Sequence, residues 1–424
     1  MGNTDLPKRR GQQIRVLMVL ENCSYLRDAR VQKEAAALTE AGYGVSVICP
    51  AHHNEPSREV LGAVCIYRFR LWQATRGIVG YLAEFIYAML AISTLSFVVL
   101  LREGFDILHV ANPPDCMVPV LSTYKLLGKV IIYDQHDLCP ELYAAKFYPP
   151  NRFVSKVLMW LERSSYGLAD HVIVTNESYK DVAIQRGLVA ESKITVVRNG
   201  PALRDLSIEN IDPELRGKSP NIIAFAGVIG YQDHLDHLCR ALHDLRHRLA
   251  REDFYCVVIG DGDALPEIKA LTRELGLESN IWFTGWVSDP DLYSRYIFNA
   301  DICVVPDPCN DYNDRSTFVK VMEYMAAGKP IVAYDLCETR RSAEAAAEYA
   351  RPNDVQDFAA KLARLMDDPG LRRSMGEIGL RRVQERLAWR HSVPNLLTAY
   401  EKTISSHTAY SLTSSADARG WRAM

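Results

Sequence analysis

The stretch spanning residues 314–333 reads DRSTFVKVMEYMAAGKPIVA and indicates the fold of the chain around it. Its apolar residues Phe318, Met322 and Met325 recur at helical spacing, Gly328 ends that helix, and a proline at 330 cannot extend it. The run 331–333 that follows is short and apolar, as are the buried strands of parallel sheets. The stretch therefore predicts a loop, a helix and a strand, which together make one repeat of an α/β sheet.

Polar side chains gather where this helix begins. Ser316, Thr317 and Lys320 precede Glu323 by about two helical turns or fewer. Two hydroxyls, an ammonium and a carboxylate at a loop–helix junction suit a phosphorylated ligand that carries several hydroxyl groups. A solvated helix start with a surface Glu–Lys pair explains the same residues, so both interpretations stay open on this stretch alone.

Apolar strands alternate with helical stretches along both halves of the chain. The first half shows expected strands at residues 14–20, 45–49, 66–69, 107–110, 130–133 and 171–174. The pattern starts again with 221–226, 254–259, 281–283, 302–305 and 331–333. Such alternation predicts βαβ units in parallel, doubly wound sheets, which bind ligands at the carboxyl ends of their strands.

With 424 residues, the chain is long enough for two domains. We predict an α/β protein with two Rossmann-like doubly wound domains, at residues 1–205 and 206–385. A hinge is expected within 204–219, and a C-terminal helix at 386–404 is expected to cross back to the first domain. The Ser- and Thr-rich tail at 405–424 is expected to be disordered.

The composition excludes some function classes. A net charge of -3 argues against nucleic acid as the main partner, since phosphates require a basic face. The first half has a small excess of basic side chains, which suits an anionic acceptor or a membrane surface. Ten cysteines are scattered without a CxxC pair or a His/Cys cluster at metal-ligand spacing, and residues 1–13 are polar rather than a signal peptide. These features predict a cytoplasmic, reducing compartment.

A long apolar stretch at residues 78–101 contains a single charge, Glu84. Its length fits a transmembrane helix, but the strands expected on either side belong to one sheet, and a crossing would separate them. Because every face of the helix is apolar, it is either buried in the core or lies in a membrane interface. Residues 152–163, with Phe153 and Trp160 beside basic side chains, form a second amphipathic candidate.

Several short motifs occur in an order that resembles the retaining glycosyltransferases of family 4, which have the GT-B fold. The resemblance covers roughly residues 14–400 and rests on the segments 28–35, 136–141, 198–200, 225–227, 259–262, 283–287 and 323–330. Residues 111–115, 314–323 and 335–340 are similar to the branch that builds O-antigen and other bacterial surface polysaccharides, such as N-acetylfucosamine transferases.

The resemblance implies roles for individual residues. Glu323 matches the glutamate that accepts hydrogen bonds from the ribose hydroxyls of the nucleotide, a role that suits a carboxylate. His136 matches a histidine near the reacting centre of the donor sugar, the alternative being a rim histidine with a purely structural partner. The remaining candidate residues for nucleotide and diphosphate binding are Gly227, Gly260, Asp261, Gly262, Arg198, Arg315, Ser316, Thr317 and Val319.

The chain departs from the family at two places. Arg315 stands where the family has the first glutamate of its E-x7-E motif, so either Asp314 replaces it or the sugar is held differently. Val228, Asp233 and His234 replace the Arg, Lys and Gly that clamp the diphosphate. Lys320 is our first candidate for the missing cation, followed by Arg315 and Arg198. We expect neither a metal nor a cofactor at the donor site.

Taken together, the resemblance implies transfer of a sugar from a nucleotide diphosphate sugar to an acceptor hydroxyl, with retention at the anomeric carbon. The expected partners are the sugar donor, a lipid-linked or saccharide acceptor, and the inner face of the cell membrane through peripheral contact. Two alternatives stay open. One is a nucleotide-sugar 2-epimerase of the same fold, and the other is a non-catalytic scaffold subunit that has kept it.

Overall fold

The structure is a computed structural model that describes residues 13–52, 54–70, 78–147, 149–202 and 212–420. The chain forms two compact units, each built on its own sheet. The first unit comprises residues 1–140, 150–198 and 392–424, and the second comprises 141–149 and 199–391. The boundary predicted at 205/206 lies outside the described residues.

The first unit is organised around an eight-stranded sheet in the order β3-β4-β2-β1-β5-β6-β7-β8. Its strands are β1 Arg15–Val19, β2 Gly44–Ala51, β3 Arg58–Leu61, β4 Val64–Arg70, β5 Ile107–Ala111, β6 Val130–Gln135, β7 His171–Val174 and β8 Ile194–Val196. All pairings are parallel except the edge pair β3–β4. Successive connections run to opposite sides of β1, so the loops after β1 and β5 flank a topological switch point, where such sheets bind ligands.

Helices α1 to α6 connect these strands. They span α1 Ala29–Glu40, α2 Ile78–Arg102, α3 Val118–Leu126, α4 Cys139–Lys146, α5 Arg152–Leu168 and α6 Glu177–Gln185. Asp28 caps α1 by accepting a hydrogen bond from the Val31 N–H, and Asn176 caps α6 in the same way from Tyr179. These caps fix where the two helices begin.

The second unit is organised around a six-stranded parallel sheet in the order β11-β10-β9-β12-β13-β14. Its strands are β9 Asn221–Ala226, β10 Phe254–Ile259, β11 Ile281–Gly285, β12 Ile302–Val305, β13 Ile331–Tyr334 and β14 Ala347–Ala350. β9 and β12 are neighbours although they are far apart in sequence. The loops that follow them therefore flank the switch point of this sheet.

The helices after α6 span α7 Pro213–Arg216, α8 Asp236–His247, α9 Leu265–Glu274, α10 Pro290–Asn299, α11 Val319–Ala326, α12 Cys337–Ala343, α13 Val355–Asp367, α14 Pro369–Arg382 and α15 Trp389–Gly420. Strand β9 is buried along its whole length because helices cover both faces of the sheet, which explains its continuous apolar sequence. The helix, glycine stop and strand predicted from residues 314–333 are α11, Gly328 and β13.

Two outcomes differ from the sequence-based expectations. Strands β3, β8 and β14 were not predicted, because they are short and only partly buried and so lack a continuous apolar run. Helix α15 extends through residues 405–420, within the segment where the sequence predicts a disordered tail. Between residues 395 and 419 there is neither proline nor glycine, so a helix nucleated by the packed part of α15 can extend through the Ser-rich segment.

Helix α2 has 25 residues and presents different faces to the core and to the outside. Ala88, Ile92 and Val99 are buried against the sheet, whereas Ile86, Leu90, Phe97 and Leu101 are exposed on the opposite face. By length and composition residues 83–102 could cross a membrane, but the core helix of a soluble protein passes the same test. The strands on either side of α2, β4 and β5, lie in one sheet, and a single crossing would separate them.

Candidate functional site

The loops after β9 and β10 contact each other through backbone atoms. Gly260 has a φ of 145°, and a Cβ at this position would lie 1.9 Å from the Gly227 carbonyl oxygen. A Cβ on Gly262 would lie 2.4 Å from the carbonyl oxygen of Ile229. These two glycines, predicted to make room for a nucleotide, are therefore required by the packing of the two loops themselves.

Gly227 lies at the end of β9, beside the side chain of Lys320. A Cβ on Gly227, whose φ is 156°, would lie 3.7 Å from Lys320 Nζ. Lys320 belongs to the first turn of α11, which begins after the β12 loop, so the switch point brings the two residues together. An ammonium group therefore lies beside the carboxyl end of β9.

The ammonium of Lys320 is already paired. Nζ lies 2.9 and 2.8 Å from the two carboxylate oxygens of Asp307, whose side chain is 1% exposed. It also lies over the rings of Phe225 and Phe318, 4.7 and 5.1 Å from their centroids. Asp307 was not singled out from the sequence, although its place two residues after β12 at the switch point is a signal that could have identified it.

Asp233 is a second carboxylate near Lys320. Burial raises its pKa to about 6, while the nearby Lys320 charge acts in the opposite direction and Asp307 raises the pKa further. One Asp233 oxygen accepts a hydrogen bond from the Gly230 N–H, 2.9 Å away, which holds the turn after β9. Near neutral pH the site therefore contains one ammonium and two carboxylates, and it becomes less negative as Asp233 takes up a proton.

Glu323 lies one turn further along α11 and is half-buried. Its Oε2 accepts a hydrogen bond of 2.7 Å from the hydroxyl of Tyr293 on α10. Burial, followed by the neighbouring Glu323 charge, raises the pKa of Tyr293, so this hydroxyl stays a donor at physiological pH. Tyr293 thereby fixes the direction of the carboxylate, a role that depends on tertiary packing and has no signal in the sequence.

The residues before α11 have partners within the second unit. The Ser316 hydroxyl is nearly buried and donates to the Tyr312 carbonyl, and Asp314 accepts the Cys337 N–H at 2.8 Å. Asp314 therefore holds the start of α12, which weakens it as a substitute for the missing first glutamate. Arg315 lies 3.5 Å from Glu141 in the same unit. Thr317 is half-buried, and the helix itself starts at Val319.

Two further candidates are located by their backbone surroundings. The exposed Asp261 accepts the N–H of Gly262 through its side chain, and its carbonyl accepts the N–H of Ile229, so it stabilises the β10 loop. Arg198 is the last residue of its segment in the first unit, where its carbonyl accepts a hydrogen bond from Ser392 of α15.

His136 lies just after β6 in the first unit, in a loop held by Asn112. The Asn112 side-chain oxygen accepts the backbone N–H groups of His136 and Asp137 at 2.6 and 3.1 Å. His136 Nε2 lies 2.6 Å from Asp134 Oδ2, and Asp134 is fully buried and paired with Arg30 at 2.9 Å. Burial alone would lower the pKa of His136, but the Asp134 carboxylate outweighs it and the pKa is raised.

Two groups of His and carboxylate side chains have ligand-type atoms within 4.8 Å of one another among the residues that the structure describes. One is Glu34, His109 and Asp134, where the guanidinium of Arg30 already supplies the cation, 3.0 Å from Glu34. The other is His234, Asp236 and His237, in which Asp236 also lies 3.5 Å from Arg240. The sequence analysis singled out neither group, although the second lies within four consecutive residues.

Comparisons with known proteins match both units to families of sugar-transferring enzymes. Residues 29–203 match the family model described as Glycosyltransferase Family 4, and residues 207–382 match the model described as Glycosyl transferases group 1. Together the two matched segments cover most of the described chain.

Individual relatives are more distant. The chain is 25% identical over 186 residues to 2-deoxystreptamine glucosyltransferase of Streptomyces kanamyceticus, which covers 43% of this chain and 46% of that protein. It is 23% identical over 311 residues to alpha-D-kanosaminyltransferase of the same organism, covering 65% and 78%. The chain thus spans less than half the length of the first of these relatives.

Among solved structures, the Anabaena protein HepE in complex with UDP-glucose superposes with a TM-score of 0.66 at 16% identity, covering 93% of this chain and 100% of that one. At this identity the likeness shows the fold, two parallel α/β units of the GT-B type.

Proposed function

The chain belongs to the GT-B glycosyltransferases of the family-4 type, and from this premise we propose that it moves a sugar from a nucleoside diphosphate sugar to an acceptor hydroxyl, with retention at the anomeric carbon. The observation that carries the proposal is the placement of Lys320 beside Gly227 at the switch point of the second sheet, with Glu323 one turn further along α11. The HepE complex with UDP-glucose supports a donor of this class.

In this proposal Lys320 and the N-terminal end of α11 stabilise the leaving diphosphate. The charge that develops on a departing diphosphate is stabilised best by fixed donors that need no rearrangement. Lys320 is such a donor because Asp307 and two aromatic rings hold its ammonium in place. The Lys320–Asp307 pair has no net charge. The first N–H groups of α11 therefore also stabilise the diphosphate.

Glu323 binds the ribose hydroxyls. A carboxylate only accepts hydrogen bonds when it is ionised, and the hydroxyl of Tyr293 occupies one part of its Oε2. Glu323 can still accept from a second hydroxyl group, which suits a sugar with neighbouring hydroxyls. We assign His136 to the donor sugar near its reacting carbon. Proximity and orientation at that carbon supply a large part of the catalytic rate enhancement.

We propose further that the acceptor is lipid-linked and that the first unit binds peripherally to the inner face of the cell membrane. The support is the exposed apolar face of α2, together with Phe153, Val157 and Trp160, which are exposed on α5 beside the exposed cations Arg152 and Lys156. An apolar stripe next to cations fits an anionic lipid surface. The surface-polysaccharide branch, the absence of a catalytic metal and the cytoplasmic location are likewise proposals.

The donor site can be tested by replacing Glu323 with glutamine and screening nucleoside diphosphate sugars by thermal shift and calorimetry. We expect the wild type to bind one class of donor, and Glu323→Gln to bind it roughly tenfold or more weakly, since a hydrogen bond to a charged group contributes about 1.5–3 kcal/mol.

The chain offers a matched control for this test. Tyr231 donates to Glu267 at 2.9 Å, a second Tyr–Glu pair in the same unit, on an exposed surface. Glu267→Gln should leave donor affinity unchanged. If Glu323→Gln and Glu267→Gln behave alike, Glu323 does not bind the nucleotide. If no donor stabilises the wild type, the proposed reaction is wrong for this chain.

A further inference from the structure

A chain of buried polar groups connects the C-terminal helix to His136 within the first unit. The Tyr400 hydroxyl of α15 lies 2.6 Å from Nδ1 of His109 on β5. His109 Nε2 lies 3.4 Å from Oδ2 of Asp134 on β6, and the same oxygen lies 2.6 Å from Nε2 of His136. Tyr400, His109 and Asp134 are fully buried, so no solvent competes for these contacts.

The directions of these hydrogen bonds follow from Asp134. Although burial alone would raise it, the charges of Arg30 and His136 hold the pKa of Asp134 well below its usual range, so the carboxylate only accepts. An ionised carboxylate 2.6 Å from Nε2 of His136 requires a proton on that nitrogen, although Nε of Arg30 also lies 3.0 Å from it. Nε2 of His109 lies 3.4 Å from Asp134 and 3.7 Å from Glu34, which favours a proton there and lets Nδ1 accept from the Tyr400 hydroxyl.

Arg30 completes the surroundings of Asp134. Its Nη2 donates to Asp134 Oδ1 at 2.9 Å and its Nη1 to the Val197 carbonyl at 2.8 Å. Its Nε lies 3.0 Å from both Nε2 of His136 and Oε1 of Glu34. Burial raises the pKa of Glu34 to about 7, and the nearby Asp134 charge raises it too. Loss of the Asp134 charge therefore favours ionised Glu34. The charge of Arg30 lowers the pKa of His136, and that of Asp28 raises it.

We infer that Asp134, supported through His109 by Tyr400, positions the ring of His136 by holding its Nε2. This inference rests on the proposed function, because it assigns a purpose to a residue placed at the donor sugar. With Nε2 held at Asp134, Nδ1 of His136 is the ring nitrogen left to face a ligand. Asp134 and Tyr400 are positioning residues and touch no substrate.

The direct test is an NMR titration of the His136 ring in the full-length protein, with His136→Gln used to assign the signal. In Asp134→Asn the titration midpoint should fall, because the anion that favours the charged ring is gone. Glu34 can then ionise and pair with Arg30, so this variant is expected to remain folded. An unchanged midpoint in folded Asp134→Asn overturns the inference.

Tyr400→Phe provides a second variant that keeps the aromatic body. Its control is Tyr43→Phe, because the Tyr43 ring packs against Tyr400 at 5.5 Å while its buried hydroxyl makes no hydrogen bond. Loss of one neutral hydrogen bond, about 0.5–1.5 kcal/mol, should lower kcat roughly 2- to 10-fold in Tyr400→Phe only, with the His136 midpoint shifted. Equal effects of Tyr43→Phe and Tyr400→Phe would show that the Tyr400 hydroxyl has no role beyond packing, and would reject the inference.

The two readouts separate this inference from the proposed function. The titration of His136 requires no catalysis, so a protein without transferase activity in any donor and acceptor combination contradicts the proposed function alone. A midpoint that responds to neither Asp134→Asn nor Tyr400→Phe contradicts the positioning role, whatever the activity.

Discussion

At the residue scale, the donor site depends on the ammonium of Lys320, which two carboxylates surround. Lys320 was predicted to supply the cation that Val228 and Asp233 no longer provide, and the structure does place it beside Gly227. The sequence could not show that Asp307 pairs with it or that Asp233 lies nearby, because both relations arise only when the loops after β9 and β12 meet. The same holds for Tyr293 and Glu323, which are contributed by different helices.

The pKa of Asp233 leads to a pH dependence of donor binding. The groups acting on Asp233 are Lys320, Asp307 and His234. A diphosphate bound beside Lys320 would favour protonated Asp233, so binding takes up a proton and affinity should fall as the pH rises through about 6.

Asp233→Asn tests this dependence. Removing the charge should strengthen donor binding roughly 3- to 10-fold at pH 7.5 and change little at pH 5, as measured by calorimetry at both values. The amide oxygen can still accept the Gly230 N–H, so the turn should persist. Weaker binding of the variant at pH 7.5 would mean that Asp233 contacts the ligand favourably.

At the element scale, α2 shows both what sequence can predict and where it stops. Uniform apolarity predicted a long helix that is either buried or interfacial, and the structure divides its faces: Ala88, Ile92 and Val99 contact the core, while Ile86 and Leu90 do not. Periodicity cannot make this division when all faces are apolar. The short strands β3 and β14 were missed for a related reason, since their half-exposed residues carry no continuous apolar run.

The outer face of α2 provides a test of membrane binding. The triple variant Ile86→Gln, Leu90→Gln and Phe97→Gln keeps good helix formers on exposed positions, so the fold should be unaffected. We expect its retention on vesicles of anionic lipid to fall at least tenfold in a flotation experiment, since each large apolar side chain contributes about 1.5–3 kcal/mol when buried.

Leu188→Gln is the matched control, because Leu188 is equally apolar and 85% exposed but lies after α6. Retention of the triple variant at the wild-type level would refute membrane binding through α2. A loss that high salt reproduces in the wild type would instead assign the attraction mainly to the cations of α5.

At the scale of the whole molecule, the fold class is confirmed: two α/β units with parallel, doubly wound sheets of the GT-B type. The prediction succeeded because buried parallel strands leave long apolar runs, as in β9 and β10, that local sequence displays directly. The course of α15 beyond residue 404 was not predictable from its Ser-rich composition. Buried residues of α15 end within the described side chains at Thr403, so the rest of the helix depends on propagation from the packed part.

Truncation should separate these two parts of α15. A chain ending at residue 407 keeps Leu396, Ala399 and Tyr400, which are fully buried, and should unfold within about 2 °C of the full-length protein. A chain ending at residue 394 loses them, and with them the partner of His109. Its first unit should lose more than 10 °C or fail to fold, as followed by differential scanning calorimetry. Equal stability of the two truncated proteins would contradict this division.

The return of α15 to the first unit has a consequence for biosynthesis. The second unit is almost continuous in sequence, at residues 199–391, whereas the first lacks its last helix until residues 392–424 leave the ribosome. During translation the first unit therefore stays incomplete until residues 392–424 are synthesised, and Tyr43 and His109 lack their contacts with Tyr400 until then. Nascent chains stalled before residue 392 are thus the stage at which this protein should depend most on chaperones.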